Sequence, residues 1–156
     1  MAPVFSARYR VQWSETDAAG FVHFSNFLRY CERAEEDFLL GLGFRYRFID
    51  GSSTPVMEFP RVRAGCEYRA PLRPGDMFRV DIVDVVLGNK SIAYRFEITN
   101  ETLGKLSAVC EIVAVAYSLE RGESVPVPRE LRERLLAAGA RLRREAGGGG
   151  ASSSEA

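Results

Sequence analysis

Across residues 26–42, Phe27, Cys31, Ala34, Phe38 and Leu42 recur at spacings of four, three, four and four. That is the period of one face of an α-helix. Arg29, Arg33, Glu36 and Asp37 fall on the opposite side, while Leu28 and Leu39 widen the apolar arc. Gly41 and Gly43 punctuate its end. A helix this broadly apolar must be covered on more than one side, and the rest of the chain has to supply the cover.

The flanking segments read with a period of two. Ahead of the helix, Phe5, Ala7, Tyr9, Val11 and Trp13 alternate with Ser6, Arg8, Arg10 and Gln12, which predicts a half-buried strand over residues 5–13. Past an irregular stretch at 45–55, four extended segments follow. Residues 57–70 are broken by Pro60 and Gly65, the mark of an edge strand or a bulge. Residues 77–87 follow a Pro74-Gly75-Asp76 turn, and 92–99 alternate after a Gly88-Asn89 hairpin turn. Residues 106–119 are almost continuously apolar, as in a strand buried on both faces. Short turns predict a meander of these four. Leu131, Leu135, Leu136, Ala138 and Leu142 mark a second, basic helix after Pro126 and Pro128, with Arg141 and Arg143 on its solvated face. The predicted class is α+β: a five-stranded antiparallel sheet wrapped round a central helix, with an extra C-terminal helix. It forms a single domain over 1–146, and the tail 147–156 (GGGASSSEA and the Gly before it) carries nothing to pack and is expected to be disordered.

Composition narrows the function. Lys+Arg and Asp+Glu both count 21, which argues against nucleic acid or an anionic membrane as the main partner. No apolar run approaches ~20 residues, so no membrane span is expected, and MAPVFSARYR lacks the apolar core of a signal peptide. Cys31, Cys66 and Cys110 are odd in number, without a CxxC pair, and lie among apolar residues. They read as three reduced core thiols of a cytoplasmic protein. One histidine, His23, and no GxSxG elbow leave no Ser-His-Asp arrangement and no His-rich metal site.

Between the first strand and the helix lies Trp13-Ser-Glu-Thr-Asp-Ala-Ala-Gly-Phe-Val-His-Phe-Ser-Asn-Phe27. It reads as a loop, freed by Gly20 and able to cap the helix through Ser25 or Asn26. With helix residues Tyr30 to Ala34, this stretch resembles the active-site segment of hotdog-fold thioesterases. The nearest branch is the 4-hydroxybenzoyl-CoA thioesterase and YbgC-like acyl-CoA thioesterases, whose pattern is strand, Asp-x-x-Gly-x-Val, an aromatic or His, then the central helix. The element order matches over residues 4–120.

The resemblance implies a hotdog fold and makes Asp17 the catalytic carboxylate. It either attacks the thioester directly or activates the attacking water. It implies the backbone N–H of Phe24, at the helix start, as an oxyanion donor, and Gly20 as a point of close substrate approach. His23 is expected to line the loop or the acyl pocket. Glu32 is the reserve carboxylate on the helix, or a hydrogen-bonding partner inside a dimer; Glu35 reads as solvated. Asn89 and Lys90, with Arg61 or Arg63, are expected to meet CoA phosphates. The implied reaction splits an aromatic or short- to medium-chain acyl-CoA, or acyl carrier protein, thioester to free acid and thiol. It needs no metal or cofactor, in a homodimer or homotetramer with the site at the subunit interface. The rival is the same fold holding an acyl or aromatic ligand without cleaving it. A hotdog hydratase ranks lower, because no histidine lies within the helix.

Overall fold

The computed structural model describes residues 2–44, 48–49 and 55–145. In chain order the elements are β1 (Phe5–Arg10), a 3-10 turn (Trp13–Glu15), α1 (Ser25–Gly41), β2 (Phe48–Ile49), β3 (Pro55–Glu58) and β4 (Arg61–Tyr68). Then come β5 (Met77–Leu87), β6 (Ser91–Asn100), β7 (Lys105–Val115), β8 (Tyr117–Ser118), β9 (Glu123–Ser124), α2 (Arg129–Ala138) and β10 (Arg141–Leu142).

The main sheet runs β1-β5-β6-β7-β4, antiparallel throughout. Along β6 every second residue from Ile92 to Asn100 is buried, so one face of the sheet is committed to the core. Phe27, Cys31, Ala34 and Phe38 of α1 join Phe78, Ile82, Phe96 and Ile98 in one apolar cluster. Burying each large side chain there contributes roughly 1.5–3 kcal/mol, which is why a sheet curved round one helix is the favoured packing. Tyr9 of β1 ties the two layers from the rim: its hydroxyl donates to Asp37 of α1, and the Arg33 guanidinium lies 4.2 Å from its ring centroid.

Several expectations need correction. The first strand stops at Arg10, because Val11 is diverted to pair with the turn before β5, and Trp13 begins the 3-10 turn with 85% of its surface exposed. The last four strands are not one meander. β5, β6 and β7 are, but β4 crosses to the far side of β7 and forms the edge of the main sheet. Pro60 marks the break between β3 and β4, and the bulge falls at Arg61–Arg63 rather than at Gly65. The small strands β2, β3, β8 and β9 make a second sheet that periodicity did not reveal.

The C-terminal helix ends at Ala138. Gly139 takes φ +116, the left-handed cap that terminates it. Arg141 and Leu142 therefore lie in β10, parallel to β5, and Arg141 pairs with Asp84 at 2.8 Å instead of standing on a solvated helix. Cys66 and Cys110 face each other across β4 and β7, Cα atoms 4.1 Å apart, and are joined as a disulfide; Cys31 alone is free and buried. The expectation of three reduced thiols fails because a partner 44 residues away is visible only through the strand register. Most of the irregular stretch 45–55 and the tail 147–156 lie outside the described residues.

If the α1–sheet layer carries the stability, Phe96→Ala should cost about 3–5 kcal/mol, read as a lowered urea midpoint at unchanged slope. Phe96 is 0% exposed at the centre of the sheet. A loss under about 1 kcal/mol would mean that the core lies elsewhere.

Candidate functional site

Residues 11–24 run from the end of β1 to the start of α1, and backbone hydrogen bonds fix them there. Glu15 anchors the loop to the helix: its carbonyl accepts His23 N–H at 3.0 Å and Asn26 Nδ2 at 2.8 Å, and its carboxylate accepts Gln12 N–H at 2.7 Å. Thr16 and Val22 form an antiparallel bridge. Beyond it, Asp17 N–H donates to Phe21 O at 2.9 Å and Gly20 N–H donates to Asp17 O at 3.0 Å. Gly20 takes φ +81, and a Cβ there would meet nothing within 4 Å, so the glycine is required by backbone conformation rather than by space.

Asp17 thus sits at the turned end of the loop. It is exposed in the single chain, and its Oδ1 accepts Ala19 N–H at 2.9 Å, as a turn aspartate does. Phe24 is the residue that precedes α1, 65% exposed, and its N–H meets no acceptor among the described residues. Such a group, at the positive end of a 17-residue helix, is suited to an oxyanion. His23 lies beside it: Nδ1 is 2.8 Å from Ser25 Oγ, and the ring lies 4.4 Å from that of Phe24. The end of β4 closes the far wall, where the Tyr68 hydroxyl donates to Phe24 O at 3.0 Å and its ring stands edge-on to Phe27. Phe21, Phe24, Phe27 and Tyr68 line one open cleft.

Asp17, Gly20, His23 and Phe24 therefore share one loop. Asn89 and Lys90 do not join them. They form the exposed turn between β5 and β6, where Asn89 O accepts Val127 N–H and Lys90 O accepts Ala116 N–H. The loop of Asp17 leans on the Met77 end of β5, whereas this turn follows Leu87 at the other end. Ten residue steps at about 3.3 Å put roughly 33 Å between the two ends. Glu32 is exposed on α1, on the rim of a second cleft that it shares with Phe59, Pro60, Arg61 and Tyr117.

Sequence reading missed a buried ion pair. Glu35, expected to be solvated, has a side chain only 5% exposed, and its Oε2 accepts Arg61 Nη2 at 2.8 Å. Burial pushes the Glu35 carboxyl above the ordinary glutamate value, and the Arg61 charge offsets this only in part. The other arginine nitrogen, Nη1, is buried without a hydrogen-bond partner. The helical spacing carried the signal. Glu35 follows Ala34, four residues after Cys31 and three before Phe38, inside the apolar arc. Among the described residues no group of three or more His, Cys, Asp and Glu side chains could hold a metal ion, and no helix is long and apolar enough to cross a membrane.

The thioesterase-like superfamily model matches residues 11–135. A 1,4-dihydroxy-2-naphthoyl-CoA hydrolase of Thermosynechococcus vestitus is 31% identical over 129 residues, covering 83% of this chain and 86% of that protein. The crystal structure of a 1,4-dihydroxy-2-naphthoyl-CoA thioesterase from Synechocystis aligns with a TM-score of 0.77 at 23% identity, over 85% of this chain and 95% of that one. A hypothetical protein from Aquifex aeolicus aligns with a TM-score of 0.74 at 32% identity, over 84% and 98%.

The Glu35 environment has a consequence for stability. The folded chain holds this proton more tightly than the unfolded chain, so the contribution is full below pH 4.5 and declines as pH rises toward the raised value. The stability difference between wild type and Glu35→Gln, from denaturant melts at pH 4 to 8, should shift in favour of the variant as pH rises and then level off. A difference independent of pH would remove Glu35 as the source.

Proposed function

The chain belongs to the thioesterase-like superfamily, and from that premise we propose that it is an acyl-CoA thioesterase acting on an aromatic acyl group. In this reading Asp17 is the nucleophile or the general base, and Phe24 N–H holds the oxyanion. The observation that carries it is the loop of residues 15–24, which hydrogen bonds clamp to the start of α1 beside an N–H that meets no acceptor among the described residues. A thioester suits so spare a site. Sulfur conjugates weakly with the carbonyl and a thiolate leaves readily, so one carboxylate and one or two amide donors are enough. The aromatic preference draws on the Thermosynechococcus relative, whose name specifies a naphthoyl-CoA, and on the ring-lined cleft of Phe21, Phe24, Phe27 and Tyr68.

The active unit in this reading holds at least two copies. One chain exposes Asp17 and sets Lys90 at the far end of the sheet, so both can serve one substrate only if they come from different copies. β4 supplies the means. It is the edge of the main sheet, with Val62 63% and Tyr68 47% exposed. The 4.1 Å Cα separation of Cys66 and Cys110 belongs to a pair not hydrogen-bonded to each other. The N–H and C=O of Cys66, and by alternation those of Ala64 and Tyr68, therefore point outward, away from β7. Antiparallel pairing of β4 with a second copy, centred on Gly65, satisfies those groups. It also sets the Arg61 end of one copy beside the Tyr68–Phe24 end of the other, and so brings the Lys90 end toward the second Asp17 loop. His23 and Asn89 join the substrate wall, and Glu32, on the cleft beside Arg61, faces the same junction.

Thiol release from a panel of acyl-CoAs tests the chemistry. Asp17→Asn and Asp17→Ala should each lower turnover by at least about 10²-fold, with the fold retained. Near-normal turnover in both would eliminate Asp17, and tight binding of acyl-CoA by the wild type without release would favour the non-catalytic rival. Ala64→Pro tests the assembly, because proline at an outward position removes an edge N–H without breaking the β4–β7 ladder. Sedimentation should move toward the monomer and turnover should fall with it. An unchanged dimer would place the interface elsewhere.

A further inference from the structure

We infer that Arg61, held by Glu35, is the specificity residue for the acyl group, and that it reads a hydroxyl on the acyl ring. This rests on the thioesterase reading above and deepens it. The two side chains close the floor of a cavity of about 40 Å³ between α1, β4, β6 and α2. By the usual measure a water needs roughly 10–15 Å³ of such space, so the cavity takes one small polar substituent and part of the group that carries it. Its walls are apolar, from Leu39, Ile92, Ala114 and Leu131. A shallower cleft, again bounded by Arg61, leads out past Pro60 and Tyr117.

The polar chemistry at the floor is specific. Arg61 Nη2 is committed to Glu35 at 2.8 Å, while Nη1 is buried and donates to nothing. A buried donor left unmade costs free energy, which a ligand acceptor would recover. Glu35 and Glu58 also line the cavity, and Glu32 stands at the mouth of the cleft. Three carboxyl groups around one guanidinium disfavour an anionic substituent. A hydroxyl fits both sides, since its oxygen accepts from Nη1 and its proton can be given to a carboxylate.

Reach follows from the two-copy arrangement. Within one chain, Glu35 lies ten residues along α1 from Ser25, about 15 Å from the helix start. An acyl ring attached to a thioester at Asp17 of the same chain cannot span that distance. With β4 strands paired about Gly65, however, Arg61 falls one residue in register from Tyr68 of the second copy, whose hydroxyl-bonded neighbour Phe24 carries the proposed oxyanion donor. The ring then enters the cavity of one copy while its carbonyl lies at the loop of the other.

The test uses the full-length protein and two ligand pairs: benzoyl-CoA with 4-hydroxybenzoyl-CoA, and 2-naphthoyl-CoA with its ring-hydroxylated counterpart. Affinities are measured calorimetrically on the Asp17→Asn variant, so the readout does not depend on turnover. kcat and KM are measured on the wild type. At least one hydroxylated ligand should bind about tenfold or more tightly than its plain partner, with the same preference expressed in KM. Replacing both groups, as Glu35→Met with Arg61→Met, leaves no buried lone charge and keeps the chain foldable. That variant should lose the preference while plain-ring turnover changes by less than about threefold. Absence of any hydroxyl preference in the Asp17→Asn protein, or its survival in the folded double variant, would overturn the assignment. Loss of the preference in the double variant while wild type releases no thiol would refute the thioesterase reading and leave the cavity assignment standing.

Discussion

The apolar arc of α1 governs the rest of the structure. Phe27, Tyr30, Cys31, Ala34 and Phe38 are all at most 4% exposed, so the sheet must curve to meet the helix and cannot leave it. That burial fixes the helix axis and, with it, two unlike ends. The first end keeps free N–H groups facing a short loop. The second half carries Glu35 into the core and requires a cation to meet it. Site and specificity are thus consequences of one packing demand, expressed at two places on the same element.

Much of this was legible beforehand, because it rests on local periodicity. The change from period two to 3.6 and back is carried by side chains within a few residues of one another, and it identified β1, α1, β5 and β6. The segment at Asp17 was legible for a different reason: it resembles an active-site loop of known hotdog-fold thioesterases. What stayed hidden depends on distant pairing. β4 joins β7 rather than β5, Cys66 finds Cys110, and β10 adds to β5. None of these leaves a mark within a window of ten residues. Helix α2 was extended too far because Leu142 continues the helical spacing after Gly139 has already turned the backbone.

Glu35 illustrates a further limit. A glutamate on an amphipathic helix is solvated far more often than buried, and composition gives no reason to think otherwise. Only its angular position, between Cys31 and Phe38, argued for the interior. Burying a carboxylate is costly unless it is paired and hydrogen-bonded, and one arginine rarely restores the whole loss. The raised Glu35 pKa expresses that residual cost. A protein evolving for stability alone would do as well with two methionines there. That the pair exists, with one arginine nitrogen unused, is what gives the cavity a chemical identity rather than a merely apolar one.

The exposure of Asp17 follows from the same logic of unfinished ends. In a monomer, a carboxylate in water is a poor catalyst, because solvation weakens both its nucleophilicity and its coupling to nearby dipoles. The loop is nonetheless tightly held, with Glu15 bonded to Gln12, His23 and Asn26 at 3.0 Å or less. So much order for an exposed turn makes sense if a second surface is to cover it. The exposed backbone edge of β4, the apolar Val62 and Tyr68 upon it, and the 33 Å gap between Asp17 and Lys90 all ask for the same remedy. A second copy supplies the wall, the cation and the exclusion of water in one step. The catalytic loop is therefore better regarded as half of a site that α1 has already oriented.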